Sequence, residues 1–154
     1  MKTAGFHDVA KEDIANLHAI RMAVTENVLS DPGKITVKDY EKILEQGKGW
    51  LCRIDYKVAG FAMVDMKNKN IWALFVHPEM ERKGIGKRLF TMMVDWAFAQ
   101  GIDKLWLTTA PNTKAERIYA GMGWKKTGEE KTGEIRFECT REEWQQFSLK
   151  LYQY

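Results

Sequence analysis

Ile71-Trp72-Ala73-Leu74-Phe75-Val76-His77-Pro78-Glu79-Met80-Glu81-Arg82-Lys83-Gly84-Ile85-Gly86-Lys87 is the stretch on which the fold turns. Its first six residues are an unbroken apolar run of strand length, the pattern of a strand covered on both faces. His77-Pro78-Glu79-Met80 ends that strand. Beyond the glycines the period changes to that of a helix. Ile85, Leu89, Met92, Met93 and Trp96 form one apolar stripe, and Phe90, Val94, Ala97 and Phe98 form a second. A helix running to Gln100, buried on more than one side and stopped by Gly101, is predicted.

Between strand and helix lies an anion site in outline. The first N–H groups of a helix have no partner within it, and they point outward at its positive end. Gly84 and Gly86 let a phosphate approach the backbone without a Cβ in the way. Arg82, Lys83, Lys87 and Arg88 add positive charge, so a diphosphate is the natural guest. The two glycines alone fit a plain helix-capping turn better than a ligand site; the four cations bring the two readings level. Two familiar nucleotide motifs fail here. For a P-loop, Glu81 replaces the first glycine and Arg88 the Ser/Thr. For a dinucleotide fingerprint, Leu89 takes the third glycine position, and seven residues separate Val76 from Gly84.

Working outward, residues 5–10 read as a first strand, and Asp13 to about Asn27 as a helix broken by Ser30-Asp31-Pro32-Gly33. Thr36-Val37-Lys38-Asp39 is a capping box for a second helix ending at Gly47. Trp50–Ile54 and Val58–Val64 are strands joined at Asp55-Tyr56-Lys57, and Lys67–Asn70 turns into the quoted run. Downstream, Lys104–Thr108 is a strand, Pro111-Asn112 opens a short helix, and Trp124–Thr127 with Glu134–Cys139 form a hairpin. Thr140-Arg141-Glu142-Glu143 caps a terminal helix. Hairpins combined with two strand–helix units predict a mixed α/β architecture: a mostly antiparallel central sheet flanked by helices.

The chain has 154 residues, the size of a single domain over residues 1–154, and 45% of them are apolar. A net charge of +3 is too mild to argue for nucleic acid. No run of about 18 apolar residues offers a membrane span. Cys52 and Cys139 form neither a disulfide framework nor a metal motif, and they read as small buried hydrophobes. No metal is expected, and a reducing cytoplasm is the simplest compartment. The aromatic tail from Trp144 to Tyr154 could pack on its own domain or form a homodimer.

A second segment gives the anion site a context. Asn112-Thr113-Lys114-Ala115-Glu116-Arg117-Ile118-Tyr119-Ala120-Gly121-Met122-Gly123-Trp124, taken with residues 81–86, resembles the GCN5-related N-acetyltransferase superfamily. The family's loop pattern, Gln/Arg-x-x-Gly-x-Gly/Ala, is matched at Gly84 and Gly86, with Glu81 departing from it. Its second pattern, Asn-x-x-Ala-x-x-x-Tyr-x-x-x-Gly-Phe, is matched at Asn112, Ala115, Tyr119 and Gly123, with Trp124 in place of Phe. The resemblance covers most of residues 5–139 and is strongest from Ile71 to Trp124. It implies the acyl-CoA N-acyltransferase fold, with acetyl-CoA as cosubstrate and an amine as acceptor. It also implies that the backbone of Leu74, Phe75 and Val76 aligns the pantetheine arm, and that N–H groups from Glu81, Arg82 and Lys83 through Gly84, Ile85, Gly86 and Lys87 hold the pyrophosphate. Asn112 would bond the arm, with Ala115 beside it, and Tyr119 would protonate the departing thiolate. A carboxylate at Glu81 opposes an anionic guest, with Arg82 and Lys83 there to compensate.

Acetyl transfer requires a neutral amine, a base to take its proton, and a donor for the oxyanion. A lysine-like amine has a pKa of about 10.4, so the base matters. Glu26, near the end of the first helix with Arg21 and Asn27 close by, is the first choice. Asp65 and His77 are further candidates, although charged side chains at such positions are mostly solvated. Trp72, Phe75 and Trp106 either line an acceptor pocket or belong to the core. The same fold could also serve as a non-catalytic acyl-CoA-binding module.

Overall fold

In a computed structural model, residues 4–24 and 35–151 are described. The chain runs through β1 (Ala4–Asp8), α1 (Ile14–Ala23), α2 (Val37–Gln46), β2 (Gly47–Ile54), β3 (Lys57–Asp65) and β4 (Asn70–Val76). It continues through α3 (Ile85–Ala99), β5 (Lys104–Thr109), α4 (Lys114–Gly121), β6 (Lys125–Glu129), β7 (Ile135–Thr140) and α5 (Arg141–Leu151). The seven strands form one sheet in the order β1-β2-β3-β4-β5-β7-β6. Every neighbouring pair is antiparallel except β4 and β5. The expected mixed, mostly antiparallel sheet with flanking helices is therefore what the chain forms.

The expected capping box closes in both directions at Thr140 and in one direction at Thr36. The Thr36 N–H donates to Asp39 Oδ2 at 2.7 Å. The Thr140 N–H donates to Glu143 Oε1 at 2.9 Å, while the Glu143 N–H donates to Thr140 Oγ1 at 3.1 Å. Such reciprocal bonds satisfy amides that the first helical turn leaves unpaired. The first strand is shorter than expected, ending at Asp8. The first helix opens with a 3-10 turn, Lys11–Asp13, and Val24 is already extended. Strand β2 starts directly at Gly47, where α2 stops.

Two cores lie on opposite faces of the sheet. On one face α1 and α2 cover Leu51, Phe61, Met63, Ala73 and Phe75. On the other, α3 brings Leu89, Phe90, Met93 and Val94 against Cys52, Ala62, Val64, Leu105 and Leu107. Phe90 is fully buried, with its ring 5.2 Å from Tyr119, 5.3 Å from Trp124 and 6.1 Å from Trp144. The tail's apolar face thus packs on its own chain: Trp144 is buried and its Nε1 donates to Asp95 Oδ1 at 2.7 Å. Cys52 and Cys139 are free and buried, and burial pushes the Cys139 thiol up to about 12.

The parallel pair positions the site. β4 and β5 are in register only at Asn70 and Trp106. That junction is pinned by Trp106 N–H to Lys69 O at 3.1 Å, Trp106 Nε1 to Asn68 O at 2.9 Å, and Asn70 Nδ2 to Trp106 O at 3.3 Å. Beyond it the strands diverge. Opposite β3, Val64 pairs with Ile71 and Met63 with Ala73, so Trp72 is an extra residue in β4. A bulge of this kind bends the strand and increases its twist, here swinging β4 away from β5.

Candidate active site

The fork opens into a cleft of about 1410 Å³ lined by Leu74, Phe75 and Val76 on one side and Leu107, Thr108 and Thr109 on the other. It exceeds the roughly 300–1,000 Å³ of a drug-sized pocket and suits a long guest. The cleft reaches both faces of the sheet. Gly84–Arg88 line it on the α3 face, and Arg21, Val24 and Ile35 on the α1–α2 face.

At the α3 end the donors belong to the backbone. Gly84 precedes the helix with φ +77°, the left-handed region that glycine tolerates best, and provides no side-chain cap. The N–H groups of Ile85, Gly86 and Lys87 therefore face the cleft without a capping acceptor, at the positive end of a 15-residue helix. A Cβ on Gly86 would meet Val76 Cγ2 at 3.3 Å, so this glycine also lets α3 close onto β4. In an antiparallel pair, alternate N–H and C=O groups face away from the partner strand. Those of Leu74–Val76 that face away from β3 meet the gap, because β5 has already diverged.

Glu81 is paired: Lys114 Nζ, on α4, lies 2.8 Å from Glu81 Oε2. The carboxylate expected to oppose an anion is thereby balanced across the cleft wall. Lys83 is exposed and is not among the residues lining the cleft. Asn112 is not either. Its φ is +61° and its N–H is tied to Glu116 Oε2 at 2.5 Å. It borders a separate depression of about 440 Å³ with Trp124 and Phe137. Its neighbour Thr113 takes the helix cap and lines the cleft instead, accepting from the Glu116 N–H at 3.2 Å. Ala115 and Tyr119 also line it. Tyr119 is only 6% exposed, and burial pushes its phenol well above the ordinary value.

At the α1 end the walls are aromatic. Arg21 lies 4.9 Å from the Trp72 ring centre and 4.5 Å from that of Phe75, and its Nε donates to Tyr40 Oη at 3.2 Å. Trp72, Phe75 and Trp106 all line the cleft.

The first choice for the base, Glu26, lies outside the described residues, as does Asn27. The other two candidates do not line the cleft. Asp65 anchors a turn. Burial pushes its carboxyl up, but bonds from Asn68, Gln46 and the Lys67 and Asn68 amides outweigh this and hold it low. His77 Nδ1 accepts from the Glu79 N–H at 3.1 Å and caps a 3-10 turn.

An uncapped helix start facing a splayed parallel pair suits a linear ligand with a diphosphate at one end. The model of the Acetyltransferase (GNAT) family matches residues 14–124. The chain belongs to the GNAT acetyltransferase family. No curated protein sequence matches this acetyltransferase significantly. Solved structures agree with its fold. PaiA N-acetyltransferase from Thermoplasma acidophilum, crystallised with coenzyme A, superposes with a TM-score of 0.76 at 16% identity, covering 90% of this chain and 99% of that one. Spermidine N-acetyltransferase from Vibrio cholerae, in complex with CoA and spermine, gives 0.69 at 14% identity over 92% and 98%. The ribosomal-protein-S18-alanine N-acetyltransferase from Escherichia coli gives 0.72 at 16% identity over 90% and 94%.

Three contributors to this acetyltransferase's cleft carried no motif. Arg21 was conspicuous only as a neighbour of Glu26, Lys114 pairs across 33 positions, and Phe147 reaches the cleft from α5. Among the described residues, no helix is long and apolar enough to cross a membrane, and no three His, Cys, Asp or Glu side chains cluster as a metal site.

Proposed function

We propose that this chain is an N-acetyltransferase that passes the acetyl group of acetyl-CoA directly to a primary amine of a small molecule or peptide, with both substrates bound at once. The carrying observation is the cleft that reaches both faces of the sheet, with the uncapped amides of a helix start at one mouth and an aromatic wall at the other. Two substrates can then enter from opposite sides and meet between the strands.

In this reading the N–H groups of Ile85, Gly86 and Lys87 bind the pyrophosphate, with Arg82, Lys87 and Arg88 adding charge. The free edge of Leu74, Phe75 and Val76 takes the pantetheine amides as a further strand would. The amine nitrogen attacks the thioester carbon, and a β4 N–H stabilises the oxyanion. As the tetrahedral intermediate collapses, the C–S bond breaks and the electron pair goes to sulfur. Tyr119 donates its proton to that thiolate, and burial keeps the phenol protonated until then. Glu26 remains the candidate for accepting the ammonium proton.

One observation favours a second reading, a non-catalytic acyl-CoA binder. Among the described residues the carboxylates lining the cleft are Glu81, which is paired, and Glu134. Thiol release from acetyl-CoA, followed with a dye across polyamines, amino sugars, amino acids and peptides, separates the two. Turnover with an amine supports the enzyme. Saturable CoA binding with no turnover on the whole panel supports the binder.

A further inference from the structure

The α1 mouth of the cleft carries a fixed positive charge that acetyl transfer itself does not need. Arg21 projects from α1 over the rings of Trp72 and Phe75, and its Nε is committed to Tyr40. Tyr40 is fully buried, and its hydroxyl also lies 3.1 Å from His18 Nδ1. Burial pushes the Tyr40 phenol up and the Arg21 charge pulls it down, leaving it above the ordinary value and neutral. The guanidinium is thus held in one orientation by a buried hydroxyl and two aromatic faces. Its Nη groups make no hydrogen bond or ion pair among the described residues.

A planar guanidinium fixed in this way offers a fork of parallel N–H donors, the geometry that matches a carboxylate. Among the described residues the surroundings give it no competing partner. Those that line the cleft include six cationic side chains, Arg21, Arg82, Lys87, Arg88, Lys114 and Arg117, against the two carboxylates Glu81 and Glu134. Glu81 is paired with Lys114, and Glu134 belongs to the loop leading into β7, at the tip of β5 rather than on β4. A polycationic acceptor would meet Arg21 with like charge, and like-charge juxtaposition is how a site rejects a wrong partner.

Resting on the acetyltransferase reading above, we infer that the acceptor is a small primary amine that also carries a carboxylate, with Arg21 as the residue that binds the carboxylate and Tyr40 as the residue that positions Arg21. The acceptor's ammonium end then points past Phe75 into the fork, toward the thioester. Its carboxylate stays at the α1 mouth.

The test is a set of matched acceptors: free amino acids, short peptides bearing the same carboxylate, and the carboxamide of each, with a linear polyamine for contrast. Acetyl-CoA is the donor and thiol release the readout. The amide's amine is the more easily deprotonated of each pair, so ordinary reactivity runs against the expected order. The wild-type protein should favour the carboxylate by about 10- to 100-fold in kcat/KM, the range for a hydrogen bond to a charged group. The difference should lie mainly in KM. Arg21→Gln should bring the ratio close to one, Arg21→Lys should keep part of it, and Tyr40→Phe should reduce it. Circular dichroism checks that each variant is folded, and the wild-type ratios stand without any variant. Equal use of acid and amide by the wild type, a faster polyamine, or a ratio that survives Arg21→Gln would overturn the inference. The two readings fail differently. If acetyl-CoA binds and no amine of any charge is acetylated, the enzyme reading falls, and this one with it.

Discussion

At the α3 end of the cleft the donors are backbone amides of Ile85, Gly86 and Lys87, fixed by the helix itself; at the α1 end the donor is one side chain, Arg21, held by Tyr40, Trp72 and Phe75. The first end depends on chain conformation, so its demands fall on glycines and on the absence of a cap. The second depends on three side chains from α2 and β4 arriving at the same place. Substitutions should therefore act differently at the two ends, and the middle, where Tyr119 stands, should respond differently again.

The largest effect is expected in the middle. Tyr119→Phe should lower kcat by about 100-fold or more, the contribution of a positioned general acid, while the CoA Kd stays within about twofold. Loss of both together would make Tyr119 a packing residue, as its contacts with Phe90 and Phe137 allow. The pH profile gives a second check. An acid whose pKa is raised keeps its proton to higher pH, so Tyr119 should impose no fall in log kcat up to about pH 10, the ordinary phenol value. An alkaline limb below that, abolished by Tyr119→Phe, contradicts the assignment.

At the α3 end, Gly84→Val should raise the CoA Kd about tenfold, because a left-handed conformation costs an L-residue about 1–2 kcal/mol. Turnover at saturating acetyl-CoA should change far less. If binding is untouched, the backbone amides are not the phosphate site. A smaller change, about threefold in CoA Kd at low salt, is expected for Lys114→Ala, which strips Glu81 of its partner. Adding Glu81→Gln in that background should restore affinity, and added salt should shrink the difference.

The smallest effect lies away from both ends. Lys104 and Arg136 hold the Glu138 carboxyl down at about 2. A group whose folded pKa is depressed contributes stability above its unfolded pKa, and that contribution is lost as pH falls toward the folded value. The melting temperature should decline between pH 4.5 and 2, and Glu138→Gln should soften that decline by a degree or two in a thermal scan. Glu138 is about one-fifth exposed, so solvent screening limits the gain.

The same contrast between ends explains what could be read in one dimension. Strand β4 and helix α3 announced themselves because an apolar run, two glycines and a change of period are local signals. The capping boxes at Thr36 and Thr140 are local in the same way. The α1 end left no such trace. Arg21 and Trp72 are far apart in sequence, and their stacking depends on a bulge at Trp72 that no spacing reveals. Lys114 could not be seen as the partner of Glu81, since the fold alone brings β4's loop to α4. Asn112 is a different case. Its place in a motif implied a bond to the pantetheine arm, and no spacing showed that it would have a positive φ, a tie to Glu116 and a place beside the neighbouring depression. Strand β6 was expected from Trp124, which is instead buried against Phe90, leaving Lys125–Glu129 as an exposed edge.

The fork at Asn70 and Trp106 has a consequence for solubility. A sheet normally has two edges, but one that splits in its middle has four, and two of them run along apolar residues of β4 and β5. Open edges invite strands from other chains. These two face each other across the cleft, so a foreign strand must enter the same slot that the pantetheine arm would fill. A saturating ligand there would act as a plug against self-association, and the tendency to aggregate on warming should fall with cofactor concentration, in step with the stabilisation that binding confers.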